Sequence, residues 1–528
     1  MDSSYIFKGP IDNLKLKGVS FAELLYDSLR KKEQSNILLV DENTDEGICR
    51  GDLLQNSIKL AVILQQMGIC ENDRVGIISA NTWKFVVPTL SAIFIGATVT
   101  PINPAATKDD LRHYLTLSKP KILFVSSDVL EKVRELKNDL SFLKHIIVLD
   151  AEDVENDELV FNELFNRDVN YKTFQIHKDN SAEALILYSS GTTGFPKGVV
   201  LSQENVLNAM EYCSDPDYLN INEDSIILGI LPLFHVFGLL LMYAYLWLGK
   251  RIIFSRKFKP DTFLKSIEKY EISYLVTVPP LLLFLAKSPL VDNYDIRSIK
   301  HIFCGAAPLG KEVENIASQR FKIPICQLYG MSECAAITIT SPKYYKSGSV
   351  GKVVPGHEAK IIDPESGNIL PPTVSGEICF KGPTVMKGYI DNEKATKETI
   401  DKDGYLHTGD IGYFDEEGYL FILDRIKDLI KYKGFQVPPA LLEDILQKHP
   451  DVKDAAVVGK PDERSGELPT AFIVRHPNAE INEQEIINYI AERVSTEKQL
   501  HGGVLFTNEI PRTNSGKILK KELKKALL

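Results

Sequence analysis

Short apolar runs recur through the first part of the chain, at 74–79, 121–126, 145–150, 184–190, 273–279 and 301–307. None alternates strictly between apolar and polar positions. Each therefore predicts a strand covered on both faces, as in parallel α/β sheets. Between two of them, 83–95 has the apolar density of a buried helix, with Pro88 either kinking it or marking its first turn. The stretch 226–248 is long, apolar and free of formal charge, as a membrane helix would be. Gly229, Pro232, His235 and Gly238 crowd its first half, where lipid would leave polar groups unsatisfied. A buried strand, a turn and a core helix are expected there instead.

The texture changes at 347–390. Glycines and prolines punctuate short strands such as 359–362 and 377–381, which predicts a small antiparallel or barrel-like subdomain. A second change falls at Asp424-Arg425-Ile426-Lys427-Asp428. Beyond it the pattern reads helix at 439–448, strands at 454–459 and 470–474, and helix at 483–494. That makes an α+β unit of about one hundred residues. The expected fold is α/β: a large amino-terminal domain of parallel sheets with the barrel-like subdomain, over 1–424, then a small mobile α+β lid over 425–528, hinged near Lys427. The lysines that follow position 517 read as the solvated face of an amphipathic tail helix.

A length of 528 residues suggests two to four compact units. A net charge of −10 argues against a nucleic-acid partner but leaves room for a small anionic ligand held by local positive groups. Seven cysteines are scattered singly, which reads as reduced thiols without a structural zinc. Residues 1–10 lack the apolar run of a signal peptide, and Lys525-Ala526-Leu527-Leu528 is not a Ser-Lys-Leu signal. The expectation is a cytosolic protein without a transmembrane segment, a monomer or weak oligomer.

The stretch richest in chemistry is Ser189-Ser190-Gly191-Thr192-Thr193-Gly194-Phe195-Pro196-Lys197-Gly198, which follows a strand-like run. Its four hydroxyls, three glycines and one lysine suit a polyphosphate. Glycines let backbone N–H groups approach anionic oxygens, hydroxyls donate further bonds and the lysine adds a point charge. Gly305 and Gly310-Lys311 mimic a Walker loop, but Glu312 follows where Ser or Thr is needed.

The order of these residues resembles the phosphate loop of the adenylate-forming superfamily, which includes acyl-CoA synthetases, 4-coumarate:CoA ligases, beetle luciferases and the adenylation domains of peptide synthetases. Further segments match in order over nearly the whole chain. Leu233-Phe234-His235-Val236-Phe237-Gly238 is similar to the family's aromatic-histidine segment, which implies His235 and Phe237 at the acyl site with Gly305 and Ala336. The resemblance implies that Gly305, Ala306, Ala307 and Pro308 flank the adenine. Tyr329-Gly330-Met331-Ser332-Glu333 matches Tyr-Gly-x-Thr-Glu. Tyr329 would then stack on adenine, Gly330 would lie beside it, Ser332 would bond the α-phosphate region, and Glu333 with Thr193 would hold Mg²⁺. Asp410 in Thr408-Gly409-Asp410 would accept the ribose hydroxyls, and Arg425 would contact the same sugar. Lys431-Tyr432-Lys433-Gly434-Phe435-Gln436 resembles the lid loop of a second half-reaction. Lys431 and Gln436 would be its catalytic members, with Lys433, Gly434 and Phe435 beside CoA. Pro511-Arg512-Thr513-Asn514-Ser515-Gly516-Lys517 matches the motif whose lysine, here Lys517, drives adenylation.

The resemblance implies ATP, Mg²⁺ and CoA as reactants and a carboxylic acid as substrate. Its closest texture is that of insect luciferases and luciferase-like acyl-CoA synthetases. Beetle luciferases usually carry arginine near Ala209 and serine at Ala336, so the pocket here is less polar and suits an alkyl chain. A fatty acyl-CoA synthetase is the first expectation. A luminescent monooxygenase that oxidises its own adenylate is the second, and a 4-coumarate-type aryl-CoA ligase the third.

Overall fold

The computed structural model describes residues 5–10, 16, 18–31, 33–154, 157–189, 196–222, 224–513 and 516–527. Among them the strands form four sheets. The first runs Gly388–Tyr389, Lys197–Ser202, Glu183–Ser189, Thr98–Ile102, Arg74–Ile78, Ile122–Val125, His145–Val148, Leu159–Val160. All pairings from Glu183–Ser189 onward are parallel. The second runs Lys352–Val353, Ala335–Ile339, Ile325–Met331, His301–Cys304, Tyr274–Thr277, Ile226–Gly229, Arg251–Phe254, Ile37–Asp41, Gly47–Cys49. It is parallel from Ile325–Met331 to Ile37–Asp41. The apolar runs read from sequence are these parallel strands, buried on both faces because helices cover them.

Helix Trp83–Phe94 contains Pro88 in its interior. An interior proline costs roughly 3 kcal/mol. Phe85, Val86, Val87, Leu90, Ile93 and Phe94 are all buried on the same helix. At about 1.5–3 kcal/mol each, their burial outweighs that loss. The stretch 226–248 divides as expected into strand Ile226–Gly229 and helix Val236–Leu248, which ends on Gly249 in the left-handed region. No helix among the described residues is long and apolar enough to cross a membrane.

The third sheet is antiparallel: Phe7–Lys8, Glu358–Ile362, Gly376–Lys381, Leu406–Phe414, Leu420–Arg425. It is wider than the segment 347–390. It borrows a strand from the amino terminus and runs on to Arg425, while Gly388–Tyr389 leaves it to pair with Lys197–Ser202. The fourth sheet joins Phe435–Val437, Ile430–Tyr432, Gly466–Arg475 and Val452–Asp462, with Val504–Phe506 parallel to Gly466–Arg475. Helices Pro439–Gln447 and Glu483–Ala491 pack on it around Leu442, Leu446, Val457, Ile473, Ile486 and Ile490.

The tail helix Lys520–Lys525 corrects one expectation. Its lysines are not all solvated. Lys520 is mostly buried, 3.9 Å from Asp424 and 3.8 Å from Asp428. Lys524 bonds Glu467 at 3.1 Å. Leu523 is buried between them, so the helix lies on the fourth sheet and draws its lysines onto carboxylates.

Candidate active site

Parallel strands all end on one edge of their sheet, and that edge is where open α/β folds place their ligands. In the second sheet Ile226–Gly229 leads to His235, Tyr274–Thr277 leads to Val278 and Pro280, and His301–Cys304 leads to Gly305. Ile325–Met331 carries Tyr329 itself. His235 is the residue before helix Val236–Leu248, and its carbonyl accepts the N–H of Leu239 at 3.0 Å. A Cβ at Gly238 would lie 2.4 Å from the Pro232 carbonyl oxygen, so only glycine lets the first turn close against the loop that carries His235. Phe237 is half-buried on that turn. Ala209 is buried, Ala336 is half-buried, and the backbone amide of Ala336 faces the Tyr212 hydroxyl.

Asp410 links two elements at this edge. Tyr329 donates its phenol to Asp410 Oδ2 at 2.6 Å, and Arg425 Nε lies 3.0 Å from Oδ1. Strand pairing sets Asp410 directly opposite Arg425, and Thr408 Oγ1 accepts the Asp410 N–H at 3.1 Å. Burial, and next the Asp410 charge, push the Tyr329 phenol far above its ordinary range. A carboxylate offers about four acceptor sites, so Asp410 keeps capacity for a diol beside these two bonds.

Glu333 is buried at the turn between Ile325–Met331 and Ala335–Ile339. Tyr389 donates its hydroxyl to Glu333 Oε1 at 2.9 Å, and Lys197 Nζ lies 4.6 Å from the Tyr389 ring centroid. Lys197 pairs with Ser189 across the antiparallel hairpin. These two residues hold the neck of the loop 190–195. Ser190, Gly191, Thr192, Thr193 and Gly194 lie outside the described residues. Ser332 and Gly330 are half-buried beside Glu333, and a Cβ at Gly330 would overlap the Ala335 carbonyl, which keeps this hairpin tight. Ala306 takes a φ of 70° after Gly305, an uncommon conformation for a residue with a Cβ. Ala307 is half-buried, and Pro308 is exposed at the rim.

Lys517 reaches this edge from the carboxyl-terminal part of the chain. Its loop is a tight turn: the Lys517 N–H donates to Thr513 Oγ1 at 3.1 Å, and Arg512, tied to Asp454 at 2.9 Å, donates to the Gly516 carbonyl at 3.0 Å. A Cβ at Gly516 would come within 2.9 Å of Pro280, so the turn is seated at the end of strand Tyr274–Thr277. Burial, and then the Arg425 guanidinium, hold the Lys517 ammonium below the usual lysine range, while Asp410 and Glu333 pull the other way. Burial first and Lys517 second hold His235 down to about 4, so the imidazole is neutral at pH 7. His235, Glu333, Asp410, Arg425 and Lys517 therefore share one electrostatic environment.

The structure does not bring Lys431, Lys433, Gly434, Phe435 and Gln436 into that group. All five are exposed on the hairpin Ile430–Tyr432/Phe435–Val437, which turns through Lys433 and Gly434 at φ 47° and 83°. The hairpin packs instead by Tyr432 on the His501 ring and by the Lys431 N–H on Glu467. Lys427 is exposed in the turn between Leu420–Arg425 and Ile430–Tyr432. The Walker mimic is a helix start: Gly310 precedes helix Lys311–Phe321 and lies against Asp444 of helix Pro439–Gln447.

Sequence reasoning missed Tyr389 and Lys520. A tyrosine in Gly388-Tyr389-Ile390 carries no signal until strand pairing sets it beside Lys197. Lys520 sits in a basic run whose composition suggests solvent.

Glu333 suits a hard cation. It is a buried carboxylate that accepts a hydrogen bond from a neutral phenol, and among the described residues no lysine or arginine forms an ion pair with it. Around it the site offers a carboxylate for a diol at Asp410, a neutral imidazole at His235, and cations at Lys197, Arg425 and Lys517 for anionic oxygens.

Comparison with known proteins gives the same frame. The family model described as AMP-binding enzyme matches residues 29–390, and the AMP-binding enzyme C-terminal domain matches 441–517. A luciferin 4-monooxygenase of Photuris pensylvanica is 38% identical over 518 residues, covering 96% of this chain and 95% of the relative. The 4-coumarate–CoA ligase-like 9 protein of Arabidopsis thaliana is 39% identical over 500 residues, 92% of this chain and 86% of that one. Among solved structures, ATP-bound MatB from Rhodopseudomonas palustris superposes with a TM-score of 0.87 at 27% identity, over 96% of this chain and 99% of MatB. With a family model matched over most of its length and relatives of this identity along nearly all of it, the chain belongs to the AMP-binding, adenylate-forming enzyme family.

Proposed function

We propose that this enzyme activates a medium- or long-chain fatty acid with ATP and passes the acyl group to CoA. A carboxylate is a weak nucleophile and a poor acyl donor. In the first step its oxygen attacks the α-phosphorus of ATP, the bond to the bridging oxygen breaks and pyrophosphate leaves. In the second step a thiol sulfur attacks the acyl carbon, the bond to the phosphate oxygen breaks, AMP leaves and the thiol proton passes to solvent.

The first step brings two anions together, so positioning and charge neutralisation are its main demands. The observation that carries the proposal is the convergence of Lys517 with Arg425, Asp410, Glu333 and His235 on one sheet edge. Lys517 would bridge the carboxylate and the α-phosphate. Its depressed basicity, set first by burial, reflects an ammonium short of solvent and suited to a dianionic partner. Tyr329 would stack on the adenine, Asp410 and Arg425 would hold the ribose, and neutral His235 would stand near the reacting carboxylate without competing for it. Glu333, with Thr193, would hold Mg²⁺, which when bound supplies positive charge against phosphate oxygens.

The second step calls for the exposed hairpin at Lys431–Gln436 to exchange places with Lys517. The proposed units 1–424 and 425–528 would swing about Lys427 to do this. The fatty-acid assignment is supported by the apolar side chains of Ala209 and Ala336.

A second reading, oxidation of the adenylate by O₂ with light emission, draws on the similarity to a luciferin 4-monooxygenase. The test is a carboxylate panel with ATP, scored by pyrophosphate release, then by CoA-dependent AMP release and by light. Fatty acids giving CoA-dependent AMP support the first reading. Light with luciferin and no thioester would replace it, and aryl acids alone giving thioester would favour an aryl-CoA ligase.

A further inference from the structure

Glu377, Cys379 and His407 lie outside the catalytic edge, on one face of the third sheet. Cys379 and His407 are direct cross-strand partners, and Glu377 is two residues before Cys379, so its side chain points the same way. Their potential donor atoms all lie within 4.8 Å of one another. Cys379 Sγ is 3.7 Å from His407 Nδ1, and His407 Nδ1 is 3.0 Å from Glu377 Oε2. For tetrahedral zinc, with bonds of about 2.3 Å to sulfur and 2.0–2.1 Å to nitrogen and oxygen, the sulfur–nitrogen edge is about 3.6 Å and the nitrogen–oxygen edge about 3.3 Å. These two spacings match their edges to within a few tenths of an ångström, and the sulfur–carboxylate pair lies within 4.8 Å.

We infer that Glu377, Cys379 and His407 form a zinc-class metal site, with a fourth position open to water. Two further features belong to such a site. His407 Nε2 faces Asp401 Oδ2 at 3.8 Å, the carboxylate behind a ligating histidine that sets its ring orientation. Glu377 Oε1 accepts the Gly409 N–H at 3.1 Å, which fixes the carboxylate plane, and Oε2 is bonded to His407 Nδ1, a bond whose proton the metal would replace. The neighbouring cation, Lys360, is the cross-strand partner of Cys379, and its Nζ lies 3.9 Å from Asp401 and 3.8 Å from the Tyr405 ring centroid. Glu377 and His407 are half-buried and Cys379 fully buried, so the ion enters from the carboxylate side. Binding forms a metal–sulfur bond, and the thiol proton leaves to solvent. The spacing in sequence, with no Cys-x-x-Cys, hides the site, because the sheet register and not a local motif assembles it. Gly409 joins it to Asp410, so the ion would brace the strand that carries the candidate ribose carboxylate.

The test uses the full chain, stripped with a chelator and titrated with Co²⁺ and then Zn²⁺. The expected result is about one equivalent of Co²⁺ giving a near-ultraviolet thiolate-to-cobalt band, displaced by Zn²⁺, with a raised melting temperature in Zn²⁺. Cys379→Ser abolishes the band, His407→Gln weakens binding strongly, and Asp401→Asn weakens it about 10–100-fold. Glu333→Gln keeps the band, which separates this site from the proposed Mg²⁺ site. Should Cys379→Ser fail to fold by circular dichroism, His407→Gln and Asp401→Asn carry the test. Absence of a thiolate band, or a band that survives in Cys379→Ser or His407→Gln, overturns the proposal.

Discussion

Tyr389 donates its hydroxyl to Glu333 across 2.9 Å, from an edge strand that joins a different sheet from the one that carries Glu333. The bond ties the two sheets together at the candidate metal carboxylate, and Lys197 rests over the same ring. Tyr389→Phe removes the hydroxyl and leaves the ring. A buried acceptor losing a donor is penalised by about 1–3 kcal/mol. We expect the Mg²⁺ concentration for half-maximal pyrophosphate exchange to rise severalfold, with the melting temperature lowered by only a few degrees. An unchanged Mg²⁺ dependence would make Tyr389 a packing residue only.

Lys517→Ala should lower adenylation by roughly 10²–10³, since a group acting in one transition state contributes on the order of 2–4 kcal/mol. Thioester formation from a supplied acyl-adenylate should be affected far less. Parallel assays of pyrophosphate exchange and of CoA-dependent AMP release read the two steps. Equal losses in both would contradict the assignment of Lys517 to the first.

His235 reports on the same lysine. Burial, then the Lys517 charge, hold its imidazole down to about 4, below the 6.5 of an unfolded histidine. The neutral form is favoured in the native state, so this contribution to stability is complete above pH 6.5. It is lost as pH falls through about 4. In an NMR titration the His235 resonance should move at about pH 4, and Lys517→Ala should shift that midpoint upward. A midpoint that the substitution leaves in place would mean the ammonium is not beside the ring.

Much of this site was legible because local order and topology point the same way. The run at 301–307 is a strand ending in small residues, and Gly305 falls at its carboxyl edge whichever helices cover it. The strand at 226–229 and the helix after it follow from polar residues interrupting an apolar stretch. What stayed hidden depends on long-range register. Tyr389 becomes significant only when its two-residue strand pairs with Lys197–Ser202, and no pattern in a two-residue strand can predict its partner. Lys520 misled for a related reason: its neighbours in sequence are lysines, but its neighbours in space are Asp424, Asp428 and Glu443.

That cluster gives a pH-dependent prediction. Burial is the first cause raising the Asp424 and Glu443 carboxyls above the ordinary range, and Lys520 works against it in both. Asp424 also accepts the N–H of Ala440, which starts helix Pro439–Gln447, at 2.9 Å. Lys520→Met strands these carboxylates. Breaking a buried pair costs about 3–5 kcal/mol, and the two separations near 4 Å put this case at or below the lower end. The stranded carboxyls take up protons in the native state at a higher pH than in the unfolded chain. The deficit should therefore be largest near neutral pH and shrink as pH falls toward the carboxylate range. Urea unfolding of both proteins at several pH values reads the sign. A deficit that is flat with pH would assign the loss to packing.

The last prediction concerns the turn between the third and fourth sheets. Arg425 ends a strand bound to Asp410, and Ile430 starts the next sheet, so only residues 426–429 connect them. Within that link the Ile426 N–H donates to Gly409 at 2.9 Å, and the Asp428 and Leu429 N–H groups fold back on the Arg425 carbonyl. Lys427 is the exposed residue inside that closed turn, so a swing of the two units would have to open it. Lys427→Pro fixes φ near −65° and biases Ile426 toward extended conformations. If the proposed exchange of Lys517 for the Lys431–Gln436 hairpin runs through this turn, the substitution must favour one arrangement over the other. Pyrophosphate exchange, which the proposed function assigns to the arrangement seen here, should survive, while CoA-dependent AMP release should fall by at least tenfold. Loss of the first with retention of the second would still place the pivot at Lys427 and would mean that proline prefers the other arrangement. A folded variant fully active in both steps would place the pivot elsewhere, or would mean that a single arrangement serves both reactions.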